Sequence, residues 1–120
     1  LETQGDIKKL TKEEKNLAKD AKNYMDRMYS RDIRIQDVAG ILHVHPNYLS
    51  TLFRREYDQS PREYLRKVRM NQAKLLLTTT EYSISDISSD VGYTNPFQFS
   101  KVFKSCYGIS PTEYRNMRQV

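Results

Sequence analysis

The chain repeats itself. Moved back by fifty residues it matches its own second half: Pro46, Ser50, Phe53, Tyr57, Ser60, Pro61, Glu63 and Tyr64 recur as Pro96, Ser100, Phe103, Tyr107, Ser110, Pro111, Glu113 and Tyr114. These are eight identities over the nineteen positions 46–64, where roughly one would arise by chance. Leu49 with Phe99, Leu52 with Val102 and Arg54 with Lys104 add conservative pairs. Upstream the offset is forty-nine, and Ile35, Asp37, Val38 and Leu42 answer Ile84, Asp86, Ile87 and Val91. The second copy therefore has one more residue in its turn, where Gly92 suits the left-handed end of a helix. Two copies are too few to stack as a solenoid, so two similar units joined by one connector are expected.

Each copy reads as a helix-turn-helix. In the second, a short helix from Ile84 meets a tight turn at Gly92, a second helix starts near Asn95, and a third is capped at Ser110. In the first, Ile35 to Leu42 forms a helix with Ile35, Val38 and Leu42 inward, and His43 to His45 make the turn. Pro46 opens the next helix, where its missing N–H costs nothing. That helix runs to about Tyr57, with Leu49, Leu52, Phe53 and Glu56 along one side. Ahead of the first copy, Thr11 and Glu14 form a capping box, and Leu17, Ala21, Tyr24, Met25 and Met28 recur at helical period to about Tyr29. Ser30 to Arg34 is a loop.

The connector opens with Ser60-Pro61-Arg62-Glu63: serine cap, proline at the first helical position, glutamate at the third. Tyr64, Leu65, Val68, Gln72, Leu75 and Leu76 continue a stripe to about Thr78. With no Gly or Pro inside, this is a rod of roughly 25–30 Å. Ser83 with Asp86 caps the following helix, and Ser110-Pro111-Thr112-Glu113 repeats the connector's cap. No strand-like alternation and no low-complexity segment occurs. The expected fold is all-α, seven helices in two homeodomain-like helix-turn-helix subdomains around a long central helix. Residues 1–10 read as a linker or frayed end, 11–66 as the first subdomain, 61–78 as the connecting helix and 79–120 as the second subdomain.

Composition narrows the function. At 120 residues this is one domain or two very small ones sharing a helix. The formal net charge is +5 and the pI about 9.3, a balance that suits a polyanion. Residues 1–30 carry seven basic and six acidic groups and the remainder thirteen and nine, so the excess lies with the repeats. One cysteine, Cys106, excludes an internal disulfide and fits a reducing compartment. There is no apolar run of membrane-spanning length, and a cytoplasmic, nucleoid-associated place is expected. The chain begins at Leu1 and reads as a piece of a longer protein.

A helix that enters the major groove needs apolar residues inward and short or bidentate polar groups outward near its N-terminal end. In copy one the inward set is Leu49, Leu52 and Phe53, and the outward set Asn47, Ser50, Thr51, Arg54 and Arg55. Asn47 suits adenine N6/N7, Ser50 and Thr51 bond either base type, and the Thr51 methyl suits a thymine methyl. In copy two Phe99, Val102 and Phe103 face inward, and Asn95, Pro96, Phe97, Gln98, Ser100, Lys101 and Lys104 outward. Gln98 is an adenine reader by type and Lys101 a guanine or phosphate contact. Asn47, Ser50, Thr51, Arg55, Asn95, Pro96, Phe97, Gln98 and Lys101 are therefore the candidate base contacts. His45, Arg54, Lys104, Arg62 and Arg66 are the candidate phosphate contacts. Taken singly, each polar residue reads equally as a solvated helix face. Arg62, Arg66, Lys67, Arg69 and Lys74 look like a basic stripe on the connector, with a structural pair as the other reading of Arg69. His43 and His45 lie in a turn with no thiolate or carboxylate pattern around them, so no metal and no cofactor is expected.

Both copies, their order and their spacing resemble the DNA-binding domain of AraC/XylS-type bacterial transcription regulators. The resemblance rests on Ser83, Asp86, Ile87, Gly92, Tyr93, Phe99, Lys101, Phe103, Lys104, Gly108, Ser110, Pro111, Tyr114 and Arg115, with Arg69, Ala73, Leu76 and Leu77 on the connector, and covers roughly Tyr24 to Arg118. It implies two recognition helices in adjacent major-groove segments. It also implies a regulator, an activator of a metabolic operon such as one for sugar utilisation, with RNA polymerase as a partner. An effector-sensing or receiver domain would lie N-terminal to this segment. No enzyme activity is expected of the chain itself. Two other readings stand beside it: a DNA-targeting module of a multidomain enzyme or response regulator, and an interaction module without DNA binding. Because the two outward faces differ, the expected target is an asymmetric site of about 16–20 base pairs with half-sites about 10 base pairs apart.

Overall fold

The computed structural model describes residues 9–117. Among them are seven helices and no strand: α1 Lys12–Met28, α2 Ile35–Ile41, α3 Pro46–Tyr57, α4 Pro61–Thr79, α5 Ile84–Asp90, α6 Pro96–Tyr107 and α7 Pro111–Met117. The expected all-α fold with seven helices is found. Six of the seven helices start where the sequence offers an acceptor for their first free amides; ahead of α2 Arg34 offers none, and Asp37 accepts the Arg34 N–H at 2.9 Å instead. Thr11 and Glu14 exchange bonds at 3.1 and 2.8 Å ahead of α1. Ser60 with Glu63 and Ser110 with Glu113 do the same ahead of α4 and α7. Ser83 Oγ accepts the Asp86 N–H at 3.0 Å.

The chain forms two compact units. The first comprises the described residues up to Arg27 together with Arg34–Tyr64; the second comprises Met28–Ile33 and the described residues from Leu65 onward. In the first, Ala18, Ala21 and Met25 of α1, Val38 and Ala39 of α2, and Leu49, Leu52 and Phe53 of α3 are buried. Tyr57 and Tyr64 rings flank Phe53 at 4.8 and 5.7 Å between centroids. In the second, Met70, Ala73, Leu77, Ile87, Val91, Phe99 and Phe103 form one core, edged by Leu76, Ile84, Tyr93, Val102, Tyr107 and Tyr114. Burying each phenylalanine contributes about 1.5–3 kcal/mol, so Phe53 and Phe103, both fully buried, hold matching positions of similar weight.

The repeat goes further than the identities between the copies. Ala18, Ala21 and Met25 of α1 recur fifty-two residues on as Met70, Ala73 and Leu77 of α4, with the same spacing and the same burial. Lys22 recurs as Lys74 at that offset, and each lysine stands over a tyrosine ring: Lys22 over Tyr64 at 5.6 Å, Lys74 over Tyr107 at 4.6 Å. Each unit is thus a three-helix repeat, α1–α2–α3 and the later part of α4 with α5–α6.

The inward face of α4 differs from the expected stripe. Met70, Ala73 and Leu77 are buried, whereas Leu75 is 52% exposed. The run Leu75-Leu76-Leu77 puts leucine on every side of that turn, so periodicity could not select a face; packing against Ile87, Val91 and Phe99 does. Glu56 is exposed rather than inward, and Ala39 joins Val38 in the core of the first unit. The basic stripe also shortens. Arg69 is half-buried and hydrogen-bonds backbone carbonyls, and Lys74 lies on Tyr107, leaving Arg62, Arg66 and Lys67 exposed. A guanidinium with carbonyls in reach satisfies its fork there rather than in water.

Candidate nucleic-acid interface

Two helices of equal length carry the candidate contacts, α3 and α6, each of twelve residues and each with proline at its first turn. In each unit the preceding helix packs on it, α2 on α3 and α5 on α6. With Leu49, Leu52 and Phe53 turned inward on α3, the 3.6-residue period leaves Asn47, Thr51, Arg54 and Arg55 exposed on the other side. On α6, Phe99 and Phe103 inward leave Phe97, Gln98, Lys101 and Lys104 exposed. Phe97 is 84% exposed, the most open of the large apolar residues. Ser50 and Pro96 are only half-exposed and sit at the edge of these faces. Arg62 and Arg66 are exposed on α4.

Several candidates already have work within the fold. The Asn95 side-chain oxygen accepts the Phe97 and Gln98 amides at 2.8 and 3.3 Å, which makes it the cap of α6 and leaves only its amide nitrogen for another partner. His45 caps α3 through Nδ1, which accepts the Asn47 N–H at 3.1 Å and leaves Nε2 facing away from that bond. The Thr51 hydroxyl donates to the Asn47 carbonyl at 3.0 Å. Its lone pairs and methyl remain for a base edge.

Sequence reading passed over Tyr48. It is 46% exposed and holds the position on α3 that Gln98 holds on α6. Its hydroxyl donates to Glu14 Oε2 at 3.4 Å. The fifty-residue offset was the signal that could have found it, since it pairs Tyr48 with a residue already singled out.

Charge is distributed unevenly over the helix starts. Helices α1, α2, α4, α5 and α7 each place a carboxylate in the first turn, respectively Glu13 and Glu14, Asp37, Glu63, Asp86 and Glu113. Helices α3 and α6 place none, and are capped by His45 and Asn95, neither of them acidic. An acidic first turn stabilises a helix through its macrodipole. The same carboxylate would repel a phosphate approaching that end, which otherwise attracts anions. Both candidate reading helices forgo the stabilisation and keep the attraction.

Among the described residues no helix is long and apolar enough to cross a membrane, and no cluster of three or more His, Cys, Asp or Glu is placed to hold a metal ion.

Residues 38–117 match the family model described as "Helix-turn-helix domain". The lactose operon transcription activator of Staphylococcus xylosus is 40% identical over 96 residues, covering 80% of this chain and 34% of that protein. The raffinose operon transcriptional regulatory protein of Pediococcus pentosaceus is 38% identical over 109 residues, covering 91% and 38%. The chain therefore spans little more than a third of the length of these relatives. Among solved structures, the C-terminal domain of AraT, a response regulator from Geobacillus stearothermophilus, superposes with a TM-score of 0.83 at 36% identity, covering 84% of each chain. A transcriptional regulator from Chromobacterium violaceum, described as containing an AraC-type DNA-binding domain, matches with a TM-score of 0.76 at 26% identity, over 86% of this chain and 92% of that one.

Proposed function

The chain belongs to the AraC-type helix-turn-helix family of DNA-binding domains, and from that premise we propose that α3 and α6 are its two reading helices, each set into the major groove by its N-terminal half. The observation that carries this assignment is the first-turn pattern: of the seven helices, only these two lack a carboxylate there. Asn47, Ser50, Thr51 and Arg55 read one half-site. Pro96, Phe97, Gln98 and Lys101 read the other, with Asn95 contributing its free amide nitrogen beside its capping role. Gln98 and Asn47 suit adenine, and the open Phe97 ring suits a thymine methyl. His45, Arg54, Lys104, Arg62 and Arg66 contact phosphate, which fixes register without reading sequence.

The outward faces differ at matched positions, Asn47 against Phe97, Thr51 against Lys101 and Arg55 against Ser105. One molecule accordingly recognises an asymmetric duplex with two unlike half-sequences. The names of the lactose and raffinose relatives support a role in controlling a sugar-utilisation operon, as an activator working with RNA polymerase. The relatives' greater length and the response-regulator origin of AraT support an effector-sensing or receiver domain elsewhere in the parent protein. The chain is a regulator's binding module rather than a catalyst, working in the cytoplasm on the nucleoid.

Selection from random duplexes with the purified chain tests the assignment. The expected result is one asymmetric sequence of about 16–20 base pairs filled by a single copy. A palindrome bound only by two copies, or no enrichment at all, would overturn it.

A further inference from the structure

The turn ahead of α6 is held by more bonds than the matching turn ahead of α3. Both turns share one backbone bond: Val44 N–H donates to Ala39 O at 3.0 Å, and Tyr93 N–H donates to Ser88 O at 2.9 Å. In the second unit the Ser88 hydroxyl adds a bond to Tyr93 O at 3.2 Å. Ser88 is the fully buried polar residue among those described, and its matched residue in the first unit is Ala39, which has no hydroxyl. The Tyr93 ring lies 5.7 Å from Phe99 of α6 and faces the Arg69 guanidinium at 5.4 Å. Val44, its counterpart, offers neither contact.

Arg69 is itself fixed. Its Nε donates to Tyr29 O and its second guanidinium nitrogen to Arg31 O, both at 2.8 Å. Burial presses its pKa below the usual arginine value, while the Tyr93 hydroxyl and Asp32 work the other way. The residue before Tyr93 leaves room for this. A Cβ on Gly92 would stand 2.5 Å from Tyr29 O and 2.9 Å from Arg69 Nε, and its φ of +102° already disfavours a side chain. One guanidinium thus joins the Met28–Ile33 segment, the Gly92 turn and the ring that leans on α6.

We infer that Arg69 is a positioning residue for the second reading helix: through Tyr93 it sets the seat of α6, and with it the sequence preference of the half-site α6 reads, without touching DNA. The inference rests on the assignment of α3 and α6 as reading helices. A helix held at both its cap and the turn before it presents Gln98 and Lys101 in one pose, and bidentate base contacts depend on pose. The first reading helix lacks this brace and tolerates more variation in its half-site.

Two measurements test the inference. The first uses the unaltered chain: amide hydrogen exchange at Tyr93 is expected to be at least about tenfold slower than at Val44, since the two amides make the same bond in turns that differ in bracing. Equal exchange, or faster exchange at Tyr93, would overturn the inference. The second repeats duplex selection with Arg69→Met and Tyr93→Phe, after circular dichroism confirms helicity. Arg69→Met is expected to flatten the preferences in the α6 half-site by about tenfold per position and leave the α3 half-site unchanged. Arg69→Lys, which keeps a cation near Tyr93 but loses the fork, restores part of the preference. Tyr93→Phe keeps the ring and gives the smallest change. A uniform loss over both half-sites marks a merely structural role and sinks the inference, as does an unchanged selected sequence. If the unaltered chain selects no sequence, the underlying assignment fails instead, and the exchange comparison still stands on its own.

Discussion

The imidazole Nδ1 of His45 accepts the backbone N–H of Asn47 at 3.1 Å. Histidine is an uncommon cap beside Ser, Thr, Asp and Asn, and an aspartate would serve α3 better by dipole and by geometry. Its use here fits a helix end kept free of negative charge. His45→Ala is expected to lower stability by about 1 kcal/mol. His45→Asp should restore the melting temperature of the parent or exceed it, yet weaken duplex binding by placing a carboxylate where phosphate approaches. Melting curves and binding isotherms on both variants check this pair of opposed shifts. Loss of stability in His45→Asp would refute the capping account, and unchanged affinity would refute the charge account.

The proposed assignment divides the outward residues into base readers and phosphate contacts. Asn47→Ala, Gln98→Ala and Lys101→Ala should each relax preference at one position of the site by about 1–3 kcal/mol. Arg54→Ala and Lys104→Ala should weaken all sequences alike and reduce the slope of log K against log salt by about one unit each. Titrations at several salt concentrations, with preferred and scrambled duplexes, separate the two behaviours. A changed preferred sequence in Lys104→Ala together with an unchanged one in Gln98→Ala would mean that α6 faces DNA differently.

Much of this arrangement was legible in the chain. The offset of fifty fixed the inward positions of α3 and α6, because Phe53 and Phe103 recur with their apolar neighbours. The Ser-x-x-Glu boxes placed the starts of α4 and α7, since the bonds that make them are local. What was not legible depended on partners distant in sequence. The buried face of α4 could not be chosen among three consecutive leucines. From sequence Arg69 reads as part of a basic stripe or as a structural pair; in the fold its guanidinium lies 2.8 Å from the Tyr29 and Arg31 carbonyls. The kinship of α1 with α4 is carried by Ala18, Ala21, Lys22 and Met25, four residues too ordinary to signal a repeat without their matched burial. The outward register of Asn95 is visible in the sequence, whereas its capping bonds to Phe97 and Gln98 are seen only in the fold.

The ends of α3 and α6 solve the same turn with different residues. Asp58 has φ +58° and its counterpart Gly108 φ +82°. A left-handed backbone costs a residue with a Cβ about 1–2 kcal/mol, less for Asp. Asp58→Gly is therefore expected to raise stability slightly, by under about 1 kcal/mol. Gly108→Ala should lower it by about 1–2 kcal/mol through the backbone alone, because nothing beyond its chain neighbours lies within 4 Å of the added methyl. Denaturant midpoints at constant m-value measure both. A neutral Gly108→Ala would mean that α6 ends differently in solution.

Glu113 caps α7 as an acceptor, taking the Ser110 N–H at 2.8 Å, and the backbone and side-chain bonds with Ser110 hold its carboxyl below the usual glutamate value. A depressed carboxylate pKa stabilises the fold at pH values above the unfolded-state pKa, about 4.3. That contribution is lost as pH falls through the lower folded-state value. Glu113→Ala should therefore melt below the parent at neutral pH, with the gap closing as the solution is acidified towards about pH 2. Glu113→Gln keeps a neutral acceptor and should show a smaller gap with little pH dependence. A gap in Glu113→Ala that stays constant down to that acidity would show that the carboxylate charge contributes nothing.

Leu49, Leu52 and Phe53 occupy the same three stations on α3 that Phe99, Val102 and Phe103 occupy on α6. Each helix packs into its own unit through those triplets, while Asn47, Arg55, Phe97 and Lys101 on the opposite side lie exposed. On the proposed assignment, a lineage carrying this domain can therefore rewrite its address one letter at a time without disturbing the packing of α3 and α6. A duplicated unit begins its history as a spare label, free to drift towards a different word while the first copy still spells the old one. The unlike faces at Asn47 and Phe97, Thr51 and Lys101, Arg55 and Ser105 are what such divergence leaves behind.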